Sequence, residues 1–453
     1  MSTRKARGIA WVVSVVLLPV AGAAPAATFE VTKAGDSADG VCDADCSLRE
    51  AIRAANGTPG ADIIRLPHAF YRLSVAGQAD DDNAGHGDLD ITDDLVLRGL
   101  PDGSTIDADG IDRVIEVLPG VKAELIDLTL REGAVLGRGG GIYTAGDLTL
   151  RRVKVLRNRA GAAPVDIMQG GGIFNLGVLR IIHSIIDQNI ARDDVGWKGG
   201  RGGGIFNGPG AQLYMYDTNV RDNLTGLDDV FGEGAGLFNW GQARIDRSFF
   251  GRNDPGDGEG GAMANRDGAS LTVINTTVSA NGHDGALGAI ANGSEHQTET
   301  EPQSKLYLTN VTIANNNGGG LFNTGRVTMR NTIVAGNYTQ DALDRWYDAG
   351  LNCVNRAPGD ITQTHALIGA DGNCLAYIYV DNRSVFDVVL DHLRYIGGPT
   401  PVHYLKPGSP AIDSGNDAVC PAVDQRQGRR PADGDMDDVE TCDIGAVELG
   451  ADE

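Results

Sequence analysis

By length alone, 453 residues suggest about three domains, yet 64 glycines and only 6% aromatic residues favour many tight bends over a large aromatic core. A formal charge of −23 repels nucleic acid and anionic membranes at long range and excludes them as natural partners. Loss of a leader holding three basic and no acidic residues deepens this to about −26, which suits calcium, basic partners or plain solubility.

Residues 1–27 read as a signal peptide. Arg4, Lys5 and Arg7 precede an apolar run at 9–20 and small residues at 21–27, with cleavage near Ala26. That run is too short for a comfortable membrane span, and no later stretch approaches ~20 apolar residues. The expected location is therefore secreted, periplasmic or cell-surface, with no transmembrane segment after cleavage. Six cysteines in an oxidising compartment point to disulfides. Cys42–Cys46, Cys353–Cys374 and Cys420–Cys442 are the most economical local pairs among the connectivities that six cysteines allow. A zinc site would need paired C-x-x-C or H-x-x-x-H spacing, which the sequence lacks.

Residues 28–87 form the expected N-terminal cap. Ser47-Leu48-Arg49-Glu50 has capping-box spacing, and Leu48, Ala51, Ile52 and Ala55 then line one face of a short helix. Residues 42–56 are read as a plug, in which Arg49 and Glu50 hold the plug and take no part in chemistry. His86, between Gly85 and Gly87, is a loop residue.

Residues 88–340 carry a repeat. Asn158, Asn189, Asn223, Asn253, Asn281, Asn316 and Asn337 each close a line with apolar residues ten, eight and three places earlier. Spacing of two within each run means strands, and a period of 21 to 35 residues means stacked coils. A glycine run precedes each pair of strands, ending at Thr144, Asn175, Asn207, Asn239, Asn265, Asn292 and Asn323. Each coil is expected to hold three short strands, with glycine and asparagine in left-handed corners and two asparagine ladders running rung to rung. Glycine- and asparagine-rich sequence is often disordered, but here the apolar columns keep register through seven repeats. Residues 89–97 and 114–130 look like two earlier coils. The predicted fold is all-β: a right-handed parallel β-helix of about nine coils, roughly 43 Å long at ~4.8 Å per coil.

Residues 341–453 are read as an insertion closed by Cys353–Cys374, followed by a disulfide-bonded C-terminal cap. Asp424, Arg426, Arg429, Arg430 and Asp443 are expected to form a charged network that pins this cap.

Cys46 to Ala51 spell CSLREA, the N-terminal signature of a family of secreted bacterial right-handed parallel β-helix proteins of pectin-lyase-like fold. The 87–91 segment GDLDI, the glycine-rich repeats and the tail motifs GSPAID (408–413), DQR (424–426), RP (430–431) and CDIGAVE (442–448) also resemble that family. The repeats are similar to those of chlamydial polymorphic outer-membrane proteins, although only Phe250 to Asn253 matches their second element and no membrane barrel follows. The resemblance implies the fold and an exported location; the CSLREA family brings no assigned reaction.

Chemistry must then sit on the outside of the rod. Loops between each Asn corner and the next glycine run carry Asp193, Asp194 and Lys198; Asp228, Asp229 and Glu233; Asp254, Asp257 and Glu259; His283 and Asp284. Stacked coils would bring them into one acidic ridge with Arg201 and Arg252 nearby, able to share calcium or to act as acid and base on a glycan; solvated surface acids are the plainer alternative. Asp433, Asp435 and Asp437 alternate as calcium ligands do, with Asp107, Asp109 and Asp112 a fainter version. No cofactor is required. The preferred function is non-catalytic binding of carbohydrate or a surface protein along the side of the rod. A polysaccharide lyase or hydrolase acting on an acidic glycan, and an adhesin-like spacer, are the alternatives.

Overall fold

The computed structural model describes residues 26–77, 84–101, 103–161, 168–193, 199–227, 230–283, 285–295, 298, 303–340, 346–347 and 352–450. The signal-like segment therefore lies outside the described residues.

A coil runs through three strands, for example Ile142–Thr144, Asp147–Arg151 and Lys154–Leu156. Stacked coils make three parallel sheets. Sheet A, holding Asp147–Arg151, has twelve strands, from Thr28–Glu30 and Asp62–Arg65 to Asp360–Thr364. Sheet B, holding Lys154–Leu156, also has twelve, from Ala69–Arg72 to Ile378–Val380. Sheet C, holding Ile142–Thr144, has ten, from Leu89–Ile91 to Cys353–Asn355. This is the parallel β-helix expected from the repeat, slightly longer than nine coils because strands on both sides of 88–340 join the same sheets.

Alternation sets which side chains point inward. In sheet A, Leu148 faces Leu179 in the next coil and Leu150 faces Ile181, all fully buried. The column continues through Leu213, Ala243, Leu271, Leu306 and Val327. Each buried Leu or Ile stabilises the fold by roughly 1.5–3 kcal/mol, and a one-residue slip would turn the whole column to solvent.

Both asparagine ladders are present. Asn158 Nδ2 donates to Asn189 Oδ1 at 3.0 Å, and the chain of amides continues through Asn223, Asn253, Asn281, Asn316, Asn337 and Asn352. A second ladder joins Asn175, Asn207, Asn239, Asn265, Asn292, Asn323 and Asn355 at 2.7–2.8 Å. The corner differs from expectation in one respect. The left-handed residue after sheet B is the one before the ladder Asn: Arg157, Gln188, Asp222, Arg252, Ala280 and Asn315. Such φ values cost a non-glycine residue roughly 1–2 kcal/mol, which the amides behind them offset. Glycine is required where the ladder comes closest to the backbone. A Cβ on Gly172 would lie 2.6 Å from Gly204 O and 2.9 Å from Asn189 Cγ.

The N-terminal plug forms a helix at Leu48–Asn56 with both halves of the capping box made. Arg49 is wholly buried. Its Nε donates to Asp36 at 2.8 Å, and its Nη atoms donate to the carbonyls of Ala84, Gly87 and Asp88. It is a structural pin, as the sequence suggested. All three local disulfides are formed; Cys353 stands in the last strand of sheet C.

The C-terminal segment runs back along the flank of the rod. Asn219 donates to Pro399 O, Thr277 to Gln425, Asn275 to Val423 O, and Asn310 to Asp443 O. This strap covers sheet B from Asn219 to Ile333. Its own interior holds Arg426 with Asp424 at 2.9 Å, and Arg430 with Glu448 at 3.4 Å, the latter pair fully buried. Asp443 accepts from Asp413 N and Leu449 N, while Arg429 meets Glu440 at the exposed rim.

Candidate functional site

The loop residues that the repeat aligned do lie on one edge. Arg138, Gln169, Arg201, Glu233, Glu259 and Leu287 stack by parallel bridges in successive coils. The carboxylates among them are neutralised. Arg201 Nε is 2.6 Å from Glu233; Arg266 reaches Glu233 at 2.9 Å and Glu259 at 2.5 Å. Burial pushes the Glu233 carboxyl up, but the Arg266 and Arg201 guanidiniums outweigh it and hold it below the ordinary carboxylate range. This edge is an ionic ladder. Asp254 caps Gly256 N, and Asp257 lies 3.6 Å from His283. Asp193 is half-buried. Asp194, Lys198, Asp228, Asp229 and Asp284 lie outside the described residues.

The arginines of this edge also lie over an aromatic column that sequence reasoning missed. Tyr143, Phe174, Phe206 and Phe238 point outward from sheet C and stack with ring centroids 5.0–5.2 Å apart. Arg138 lies over Phe174 and Arg201 over Phe238. Where the column narrows to Ala264 and Ala291, the buried Arg266 fills the space and donates to the carbonyls of Ala291 and Gly293. The signal was available: the middle residue of the strand after successive glycine runs is aromatic at Tyr143, Phe174, Phe206 and Phe238, and Arg138 and Arg201 stand five places before two of them.

Two groups of three carboxylates among the described residues bring oxygen atoms within 4.8 Å of one another: Asp413, Asp433, Asp435 and Asp88, Asp90, Glu116. The first contains two of the three residues chosen from sequence. Asp433 accepts from Met436, Asp437 and Asp438 N, and Asp413 accepts from Gly434 and Asp435 N, so backbone donors shape this loop. Asp437 stands apart and accepts from Val439 N. Asp107, Asp109 and Asp112 separate. The first two line a cleft on sheet B, and Asp112 turns toward Gly87, whose missing Cβ would sit 2.4 Å from its Oδ2.

That cleft, of about 700 Å³, occupies the stretch of sheet B that the strap leaves bare. One wall is sheet B. The other is a short parallel sheet of Ala134–Leu136, Arg159–Gly161 and Ile190–Ala191. Arg131 Nε is 2.6 Å from Asp107, Arg157 Nε is 2.6 Å from Glu132, and Arg72 pairs with Asp109. Arg159, on the short sheet, also lines the cleft. Phe70, half exposed on the first strand of sheet B, has Arg131 5.0 Å from its ring centroid. The cleft lining thus balances three guanidiniums, Arg131, Arg157 and Arg159, against three carboxylates, in a chain with 61 acidic and 38 basic residues. Beyond it, Asp187 is buried beside Arg221 at 3.0 Å; burial holds its carboxyl above the ordinary range despite that neighbour.

No protein-family model matches the chain, and no curated protein matches it in sequence. Among solved structures it is similar to pectate lyase Pel9A, with a TM-score of 0.51 and 13% identity over 94% of this chain and 98% of that one. The A-module of mannuronan C-5 epimerase AlgE6 from Azotobacter vinelandii aligns with a TM-score of 0.35 and 16% identity over 78% and 97% of the two chains. The first likeness shows a shared parallel β-helix. No described helix is long and apolar enough to cross a membrane.

Proposed function

We propose that this is an exported β-helix that holds an extended acidic carbohydrate in the bare stretch of sheet B, without catalysis. The observation that carries the reading is an open cleft lined by three guanidiniums, Arg131, Arg157 and Arg159, in an otherwise strongly acidic protein. Guanidiniums bind carboxylates in a planar, two-pronged geometry. The Arg157–Glu132 and Arg72–Asp109 pairs are exposed, with Arg157 and Glu132 side chains 46% and 40% accessible, and such pairs are worth only about 0–1 kcal/mol, so a ligand carboxylate can exchange with them. Coils at ~4.8 Å intervals repeat this surface along the axis and suit a polymer better than a small molecule. Formed disulfides and the signal-like start support export. That pectate lyase Pel9A shares the fold supports a polysaccharide as the ligand class.

Affinity electrophoresis through gels containing pectate, alginate or a neutral glucan tests the proposal. Retardation by the acidic gels, weakened by salt and by Arg131→Ala/Arg157→Ala, is expected. Equal mobility in all gels overturns it. Release of unsaturated uronates from either acidic polymer, followed by ultraviolet absorbance, would replace binding with a lyase activity.

A further inference from the structure

The first pair of sheet C strands, at the N-terminal end, places carboxylates directly against each other. Asp90 and Glu116 are register partners in adjacent strands of sheet C, at the head of the outward column that continues into Tyr143 and Phe174. Like charges directly opposite one another in neighbouring strands destabilise a sheet. At Asp107 with Arg131 or Asp222 with Arg252 the chain sets an acid beside a base, and the stacked Glu233 and Glu259 share Arg266. Here Asp88 and Asp112 add two further carboxylates, both more than nine-tenths buried, and Asp90 is buried too. Arg113 is the cation among them. It bonds Glu116, and its Nε lies 3.4 Å from Asp88 Oδ2.

That last approach makes no hydrogen bond. Among the described residues, Asp88 Oδ2 is a fully enclosed oxygen that accepts from no donor. The nearby Arg49 offers no relief, because its guanidinium is spent on Asp36 and on the carbonyls of Ala84, Gly87 and Asp88. A buried carboxylate oxygen with no donor carries its full desolvation cost.

We propose that Asp88, Asp90 and Glu116 form a calcium site that fastens the N-terminal plug to the first coils of the rod. Their oxygens lie within 4.8 Å of one another. That spread fits inside a calcium sphere, whose oxygens at 2.3–2.6 Å place opposed ligands about 4.6–5.2 Å apart. The donors are all oxygen, which selects a hard cation over zinc or copper. Among the described residues, Asp88, Asp90, Asp112 and Glu116 gather about Arg113, a carboxylate-rich donor set that suits a dication. The ion also links loop to rod: Asp90 Oδ2 accepts from Ala84 N at 2.5 Å, while Arg49 of the plug grips the carbonyls on either side of that loop. The site is separate from the carbohydrate cleft and does not depend on it.

The test is calorimetric titration of Ca²⁺ into the chelator-stripped, full-length exported chain, paired with thermal unfolding. Wild type should bind saturably and melt higher with calcium. Asp88→Asn/Asp90→Asn should weaken binding at least tenfold and abolish the calcium-dependent rise. Asp433→Asn/Asp435→Asn should leave the rise in place. In chelator, the isosteric Asp88→Asn chain should melt no lower than wild type, because it removes repulsion; this separates loss of a ligand from loss of the fold. Glu116→Gln offers a second, milder variant with the same expected direction. No saturable binding by wild type, or a calcium-dependent rise that survives Asp88→Asn/Asp90→Asn, overturns the proposal.

Discussion

Sheet B has two stretches with the same backbone and different outward surfaces. In the bare stretch the outward and corner positions are Asp107, Arg131, Glu132, Arg157, Asp187 and Arg221, paired as acids and bases between coils. Under the strap the outward positions become Phe249, Gly251, Thr277, Ser279, Thr312 and Ile333, apolar or small. Behind both runs the same asparagine ladder, unbroken from Asn158 to Asn352. Inward residues are therefore set by the coil, and outward ones by what lies against them. A change from charge to small side chains marks where the chain itself returns, and the charged remainder is what is left for another molecule.

The difference can be broken most strongly at Arg430. Above about pH 8, where Glu448 is ionised, Arg430→Met leaves it buried without its cation, which should cost about 3–5 kcal/mol. Urea denaturation and limited proteolysis should show the strap loosening first, turning the second stretch into a bare surface like the first. Unchanged protection would mean that the strap is held elsewhere.

Proton linkage should act on the same contact. Burial pushes the Glu448 carboxyl up to about 8, against the opposing pull of Arg430, and pushes Asp443 up to about 7. Both folded values exceed the ordinary ones of 4.5 and 3.8. The folded state therefore holds protons that the unfolded chain releases, and stability falls as pH rises between those limits. Strap protection should be greatest near the acidic end and lost as pH passes the raised values. A protease-protection profile that improves across the window would contradict this.

On the bare stretch, Arg157→Ala should weaken binding of acidic polymer severalfold while changing stability by less than about 1 kcal/mol, since its pair with Glu132 is exposed. Comparable stability and binding losses would mean that the cleft is structural. At the seam, Asn219→Ala removes one 3.3 Å bond to Pro399 O and should cost about 1 kcal/mol, seen as earlier cleavage near the start of the strap. An effect as large as that of Arg430→Met would place the anchor at the seam.

Much of this was legible in the residues. Leu148, Leu179 and Leu213 repeat because they stack, and ladder asparagines recur because each satisfies the next, so periodicity carried the fold. Ser47 and Glu50 announced the plug through spacing alone. The cleft was hidden because its pairs cross coils of unequal length: Glu132 and Arg157 are 25 residues apart, Asp187 and Arg221 34. Counting back one and two places from each ladder Asn recovers Arg157, Asp187, Arg221, Asp222 and Arg252 as a charged column. Loop composition suggested an acidic ridge because the neutralising Arg266 sits in a different part of the coil from Glu233 and Glu259. The path of the strap had no periodic signal, since its partners Asn219, Thr277 and Asn310 are also ordinary corner and strand residues.

The strap has a bearing on the order in which the molecule is built. Rung can be added to rung as the chain emerges, because each coil needs only the one before it. Docking of Pro399 on Asn219 instead joins residues 180 apart, and no part of the strap exists until every coil beneath it has been made. Closure of the flank is thus the final event of assembly, and a chain halted short of it would leave Phe249 and Ile333 uncovered, available to any passing neighbour.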